Sequence, residues 1–209
     1  MNQMTDNKLT LGYWEGYGKA QPARYLLELT QTPYNDVKYV EDDKWFKQDK
    51  LNLGLDFPNL PYLIDGEVKL TEFVAIFDYL SEKYGKPEWL GKGNDKYVVS
   101  SLRSLFDELS SFNYYGSLKN TEEEKKQYVF DNIVPKFRYL SKFIGYKHYL
   151  LGYFTVADLY FLSVINAFKA NLPQDSYAEF APVFDPIIHR LASIPEIAAY
   201  IASDRHPKQ

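Results

Sequence analysis

Cysteine is missing from this 209-residue chain. That excludes disulfides, thiolate metal sites and a cysteine nucleophile, so any thiol chemistry here must use a thiol brought by a ligand. Histidine is scarce. His148, His189 and His206 are scattered and form neither a metal-binding spacing nor a Ser-His-Asp pattern. Positive charge is not concentrated: the net charge is −4, the signs are mixed, and the basic stripe that nucleic-acid binding needs is lacking. The longest apolar stretch, around Tyr160 to Phe168, is too short to span a bilayer. Met1 to Asn7 is polar and has no apolar core, so no signal peptide is expected. A cytoplasmic protein, with no membrane and no nucleic acid among its partners, is the expectation. The chain has no internal repeat and no low-complexity tract. Glu122-Glu123-Glu124-Lys125-Lys126 reads as a solvated helix start, with acids at the favourable end of the dipole.

What is present is a core former, 45% hydrophobic, long enough for one large domain or two small ones. Its most informative segment is Asp56-Phe57-Pro58-Asn59-Leu60-Pro61-Tyr62-Leu63-Ile64-Asp65-Gly66. Pro61 cannot donate to a sheet ladder, so it opens a strand, Tyr62 to Ile64. Asp65-Gly66 then closes a hairpin into Glu67 to Leu70. A proline at that place is a candidate cis site, since the X-Pro bond favours trans by only about 0.5–1 kcal/mol. A cis bond turns the Leu60 backbone outward. Its N–H and C=O are then expected to be free to pair with an extended peptide, as an added strand would.

The first eighty-five residues alternate strand and helix. Leu9 to Trp14 reads as a strand. Ala20 to Thr30 reads as a helix, with Ala23, Leu26, Leu27 and Thr30 on one face and Pro22 in the first turn. Tyr34 to Val40 reads as a second strand, parallel to the first by βαβ spacing. Thr71 is expected to cap a helix running to about Tyr84, stopped by Gly85-Lys86-Pro87. Residues 86–94 read as a linker. From Asp95 onward only helices fit: Asp95 to about Tyr115, Thr121 to Ile144 broken or kinked at Pro135, Thr155 to Ala170, and short ones near Asp185 to Ala192 and Pro195 to Ala202. Thr155 with Asp158 makes a variant capping box, which needs no catalytic role. The predicted architecture is an α/β thioredoxin-like domain, residues 1–85, followed by an all-α domain, residues 95–209.

The Asp56–Gly66 segment resembles the cytosolic glutathione S-transferases, the mu class most closely. Leu11-Gly12-Tyr13-Trp14, with Arg24-Tyr25-Leu26-Leu27-Glu28 ten residues on, is similar to the mu-class opening strand and helix. The carboxy-terminal third resembles the sigma class in Pro135, in Thr155-Val156-Ala157-Asp158 and in Ile194-Pro195-Glu196-Ile197-Ala198. The resemblance spans roughly residues 9 to 205.

It implies an enzyme that binds glutathione in the first domain and a small hydrophobic electrophile at a second-substrate site in the helical domain. It implies a homodimer, and no metal or redox cofactor. By resemblance the Tyr13 hydroxyl donates to the glutathione sulfur; Tyr17 is a weaker candidate. Trp45 and Lys50, with Lys47 as the competing lysine, are implied for the glycine carboxylate. Trp14 leans on the γ-glutamyl group or packs in the core. Asn59, Leu60 and Pro61 supply the peptide pairing. The family has Gln-Ser or Glu-Ser where this chain has Glu72-Phe73. Glu72 can face the ligand ammonium. Phe73 has lost the hydroxyl that accepts the ligand carboxylate, a loss worth about 1.5–3 kcal/mol, and a ring in the site would clash. Asp107, or Glu108, resembles the acid that reaches a neighbouring subunit's glutathione. Tyr115, Tyr114 and Phe112 are the second-substrate candidates, placed between the loop after Tyr13 and the end of the helix. A non-enzymatic relative that kept the fold, and a sigma-like isomerase, are the alternatives.

Overall fold

The structure, a computed structural model, describes residues 9–171 and 173–207. They form two compact units, the first ending at Gly85 and the second running from Lys86 to Pro207.

In the first unit a four-stranded sheet has the order β2-β1-β3-β4. Strand β1 (Thr10–Trp14) runs parallel to β2 (Asn35–Tyr39), with α1 (Gln21–Leu29) as the crossover. Strands β3 (Tyr62–Asp65) and β4 (Val68–Thr71) are antiparallel additions joined at Gly66. The Leu60–Pro61 bond is cis. Alternation along the strands makes two cores. Leu11 pairs with Leu63, and both are buried with Ala23, Leu26 and Leu27 of α1 and with Ile76, Phe77 and Leu80 of α2 (Phe73–Tyr84). A second cluster joins Tyr39, Trp45, Leu55 and Tyr62, with Trp14, Val37, Leu53, Leu60 and Ile64 around it. Gly12 makes that cluster possible, because a Cβ there would lie 2.7 Å from the Tyr62 hydroxyl.

Thr71 does not cap α2. It pairs with Tyr62 as the last residue of β4, and the chain turns into the helix at Glu72 instead. The stretch after β2 contains a π-helical turn, Lys44–Asp49, which carries Trp45 into the second cluster.

The second unit holds α3 (Asp95–Ser117), α4 (Glu122–Asn132), α5 (Val134–Ile144), α6 (Val156–Asn171), α7 (Ala181–Ala192) and α8 (Pro195–Ile201). The break between α4 and α5 falls at Ile133, and Pro135 sits in the first turn of α5, where a missing N–H costs no helix bond. Helix α7 starts four residues earlier than the sequence suggests. Pro186 lies inside it, tolerated because Phe184 is fully buried and packs on Phe137, Phe161 and Phe180. Helix α6 is the central element, packed on α3 through Phe106, Tyr160 and Phe161. Residues 86–94, read as a linker, pack within this unit. Trp89 meets Phe154 edge-on at 5.2 Å, and the Lys92 N–H donates to the Tyr153 hydroxyl at 3.0 Å.

Two helix starts are secured by side chains. Thr121 and Glu124 form a complete capping box on α4. At α6, Asp158 is fully buried and its carboxylate accepts the Thr155 N–H at 2.8 Å and the Thr155 hydroxyl at 3.1 Å. Its other oxygen reaches back to the Leu150 N–H at 2.9 Å, tying the preceding loop to the helix. Among the described residues no helix is long and apolar enough to cross a membrane. Nor does any group of three or more His, Asp or Glu among them have a metal-holding arrangement.

Candidate functional site

Tyr13 stands near the end of β1, half-buried, before the loop of residues 15–18. Its ring lies over Gly18, which has φ +35°. A Cβ on Gly18 would come within 2.7 Å of the Tyr13 hydroxyl. Gly18 is therefore the residue that leaves room for the Tyr13 tip. Sequence reasoning missed it, because the approach of two residues five apart depends on how the loop folds back. Among the described residues no hydrogen bond occupies the Tyr13 hydroxyl. Tyr17 is otherwise placed. It is buried, and its hydroxyl pairs with that of Tyr25 on α1.

The candidate peptide edge is assembled from two segments, Asn59 to Pro61 and Glu72. The Leu60 N–H, expected to be free, is taken by its neighbour: Asn59 Oδ1 accepts it at 2.9 Å. Asn59 Nδ2 in turn donates to Glu72 Oε1 at 3.3 Å. An extended peptide must therefore displace the Asn59 side chain to pair with Leu60. Glu72 is exposed and has φ +64°, ψ 111°, a conformation that costs a non-glycine residue about 1–3 kcal/mol and persists only where the surrounding structure over-determines the backbone. Pro61 is buried beneath this edge.

Phe73 does not enter the edge. Its ring is only 4% exposed and stacks on Phe77 at 5.4 Å, inside the core under α2. The clash expected of a phenyl ring in the site is absent. What faces outward at this point is the opening turn of α2, a helix end suited to an anion.

Trp14 and Trp45 share the second cluster. Trp14 is half-buried against Tyr39 and Phe46. Trp45 is 2% exposed and stacked on Tyr62 at 6.0 Å. The π-helical turn is fastened by Tyr39, whose hydroxyl donates to Asp49 at 2.6 Å, and by Lys44, 3.2 Å from the same carboxylate. The Tyr39 hydrogen bond, helped by Lys44 and opposed by burial, holds the Asp49 carboxyl below its ordinary range. Burial and that same bond raise the Tyr39 hydroxyl. The three lysines of this turn have different partners. Lys44 pairs with Asp49 and Lys47 with Asp43 at 2.7 Å, whereas Lys50 lies over the Phe46 ring at 5.3 Å.

The remaining candidates belong to the second unit. Asp107 accepts the Tyr160 hydroxyl at 3.2 Å, and Glu108 pairs with Lys136 at 2.9 Å. Tyr114 and Tyr115 are exposed near the end of α3, their rings 5.6 Å apart. Phe112 parts from them. Its ring meets Tyr128 of α4 at 6.3 Å, with the Lys136 ammonium over it, and so packs between helices.

Comparison with known proteins identifies the family of both units. The glutathione S-transferase N-terminal domain family matches residues 9–82, and the C-terminal domain family matches residues 103–204. Glutathione S-transferase 2 of Gallus gallus is 33% identical, over 96% of this chain and 92% of that protein. The class-mu 26 kDa isozyme 51 of Fasciola hepatica is 34% identical, over 95% and 90%. Among solved structures, rat hPGDS complexed with a quinoline superposes with a TM-score of 0.79 at 23% identity, covering 96% of this chain and 98% of that one. The chain belongs to the glutathione S-transferase family, with a thioredoxin-like amino-terminal domain and a helical carboxy-terminal domain. Its curated relatives include several named as mu-class enzymes.

Proposed function

We propose that this protein conjugates glutathione to small hydrophobic electrophiles, with Tyr13 stabilising the thiolate. The observation that carries the reading is Tyr13 itself: a hydroxyl with no hydrogen bond among the described residues, beside the Gly18 backbone, in the unit that also holds the Asn59–Leu60–Glu72 edge. A free thiol has a pKa near 8.5. Lowering it by about two units takes ~2.7 kcal/mol of preferential thiolate stabilisation. One hydrogen bond to a charged group supplies about 1.5–3 kcal/mol. The sulfur then attacks an electrophilic carbon, a C–S bond forms, and the leaving group departs with its electron pair. No metal or redox cofactor is needed for that step.

The other assignments follow the same frame. Glutathione lies along Leu60–Pro61. Its γ-glutamyl ammonium faces Glu72, and its α-carboxylate meets the opening turn of α2 at Phe73, by backbone alone. Trp45 and Lys50 receive the glycine carboxylate, and Lys50 is preferred because Lys47 is already paired. Trp14 supports the γ-glutamyl group from the cluster side. Asp107 serves the glutathione of a second subunit. Tyr115 and Tyr114 contact the electrophile, and Phe112 serves them only as packing. A homodimer is proposed from the family resemblance, a two-fold pair being the commonest oligomer. The carboxy-terminal third is read as sigma-like, and the setting as cytoplasmic detoxification.

The test is calorimetric titration with glutathione alongside conjugation to an aryl halide. Tyr13→Phe is expected to lower turnover about a hundredfold, the kinetic equivalent of ~2.7 kcal/mol, with glutathione affinity nearly intact. Unchanged turnover would sink the assigned role. A folded wild type that neither binds nor conjugates would establish the non-enzymatic reading instead.

A further inference from the structure

Arg24 on α1 is fully buried, although burying a guanidinium is costly unless its hydrogen bonds are made. Its fork is divided between two places. Nε reaches Asp36 on β2 at 3.1 Å, and Nη1 donates to the Gly16 carbonyl at 2.8 Å, with Gln21 Oε1 at the edge of range at 3.5 Å. Nη2 is buried with no partner among the described residues. The ion pair is not required to join the strands, because β1 and β2 are already paired in register from Thr10↔Asn35 to Trp14↔Tyr39. Arg24 supplies a charged anchor from the sheet, through Asp36, which Lys38 also approaches at 3.9 Å, to the middle of the 15–18 loop. Two residues on is Gly18, the backbone against which the Tyr13 hydroxyl lies. The loop has other ties: Glu15 N–H to the Tyr39 carbonyl at 2.8 Å, Tyr17 to Tyr25, and the Gly18 carbonyl to the Gln21 N–H at 3.4 Å. None of them holds Gly16.

We propose that the buried Arg24–Asp36 pair is a positioning device that, by holding the Gly16 carbonyl, sets where Gly18 and therefore the Tyr13 hydroxyl stand relative to the bound thiol. The inference rests on the glutathione transferase reading. Arg24 touches no substrate; it acts through the loop. A hydrogen bond to a charged sulfur weakens steeply once distance and angle leave the normal range, so a small displacement of the loop is enough to change the thiolate fraction.

The experiment is a pH titration of glutathione bound to the protein, followed by the ultraviolet absorbance of the thiolate, with glutathione affinity measured in parallel. Arg24→Lys keeps a charge but cannot reach both acceptors, and Asp36→Ala is the milder variant should the first fail to fold. Either is expected to raise the bound thiol pKa by about one unit, tenfold less thiolate at a given pH below it, with affinity within about twofold. Asp36→Asn still accepts from Nε and is expected to restore a near-wild-type titration. Variants that lose stability while the thiol titrates as in wild type overturn the proposal and leave Arg24 a purely structural residue. A wild type that does not bind glutathione, or binds it with an ordinary thiol pKa, overturns the underlying transferase reading instead, and the inference with it.

Discussion

Replacing Asp158 with alanine removes the acceptor for three donors at the start of α6. The Leu150 N–H at 2.9 Å, the Thr155 N–H at 2.8 Å and the Thr155 hydroxyl at 3.1 Å all end on this carboxylate. Leu150 and Thr155 are themselves fully buried, so water does not take over. Each buried N–H left without a partner costs about 1–3 kcal/mol, and two of them give roughly 4 kcal/mol. For a chain of this size each kcal/mol lowers Tm by about 2–4 °C, so a fall of roughly 8–16 °C is expected. Thr155→Val removes only the hydroxyl and is expected to cost about 1 kcal/mol.

The same group carries a pH signature. Burial, against four hydrogen bonds pulling the other way, pushes the Asp158 carboxyl up to about 6, from an ordinary value of 3.8. A folded-state pKa above the unfolded one means the folded protein binds this proton more tightly. The resulting stabilisation, about 3 kcal/mol for two pH units, is fully present below pH ~4 and is lost as pH rises through about 6. Thermal melts of wild type and Asp158→Asn, at one protein concentration and at pH 4.5 to 7.5, report the difference. The wild-type advantage is expected to shrink as pH rises. A gap that widens with pH, or an alanine variant within about 3 °C of wild type, refutes the reasoning.

Gly18→Ala is expected to push the Tyr13 ring aside and lower turnover roughly tenfold to a hundredfold while glutathione still binds; steady-state kinetics with calorimetry would expose an error if turnover held. Lys50→Met is expected to weaken glutathione binding about tenfold or more, and Lys47→Met by less than twofold; the reverse order would reassign the lysine. Phe73→Ser exchanges a buried ring for a hydroxyl on the core side, so a stability loss of about 3 kcal/mol is expected with little change in affinity. A tenfold tightening would show that the side chain at this position reaches the ligand after all.

How far the site could be read in advance varied residue by residue. Tyr13 is singled out through the family resemblance, since with nineteen tyrosines in the chain its place near the end of a strand says little, whereas the hairpin after Pro61 was legible from its turn chemistry. The Thr121–Glu124 box was equally legible, yet the acidic run hid it behind a bland reading. By contrast, Lys47 and Lys50 are three residues apart with the same chemistry. Only the folded chain shows that Asp43 has taken Lys47. Tyr17 and Tyr13 look alike in sequence, and only the folded chain shows that Tyr17 is buried against Tyr25. At the peptide edge the sequence promised a free Leu60 N–H. The Asn59 side chain, itself held by Glu72, occupies it.

The sequence by itself determined the order of strands and helices, the proline and glycine turns, the absence of thiol or metal chemistry built on cysteine, and the family. All of these follow from neighbours a few residues apart, where apolar period and backbone preference act. Only the tertiary structure decided that Phe73 turns inward, that Gly18 lies under Tyr13, and that Arg24 bridges Asp36 and Gly16. Each of those depends on which segments meet after the chain folds back. A side chain's direction at the end of an element is set by what it can pack against, and that partner is not written beside it in the chain.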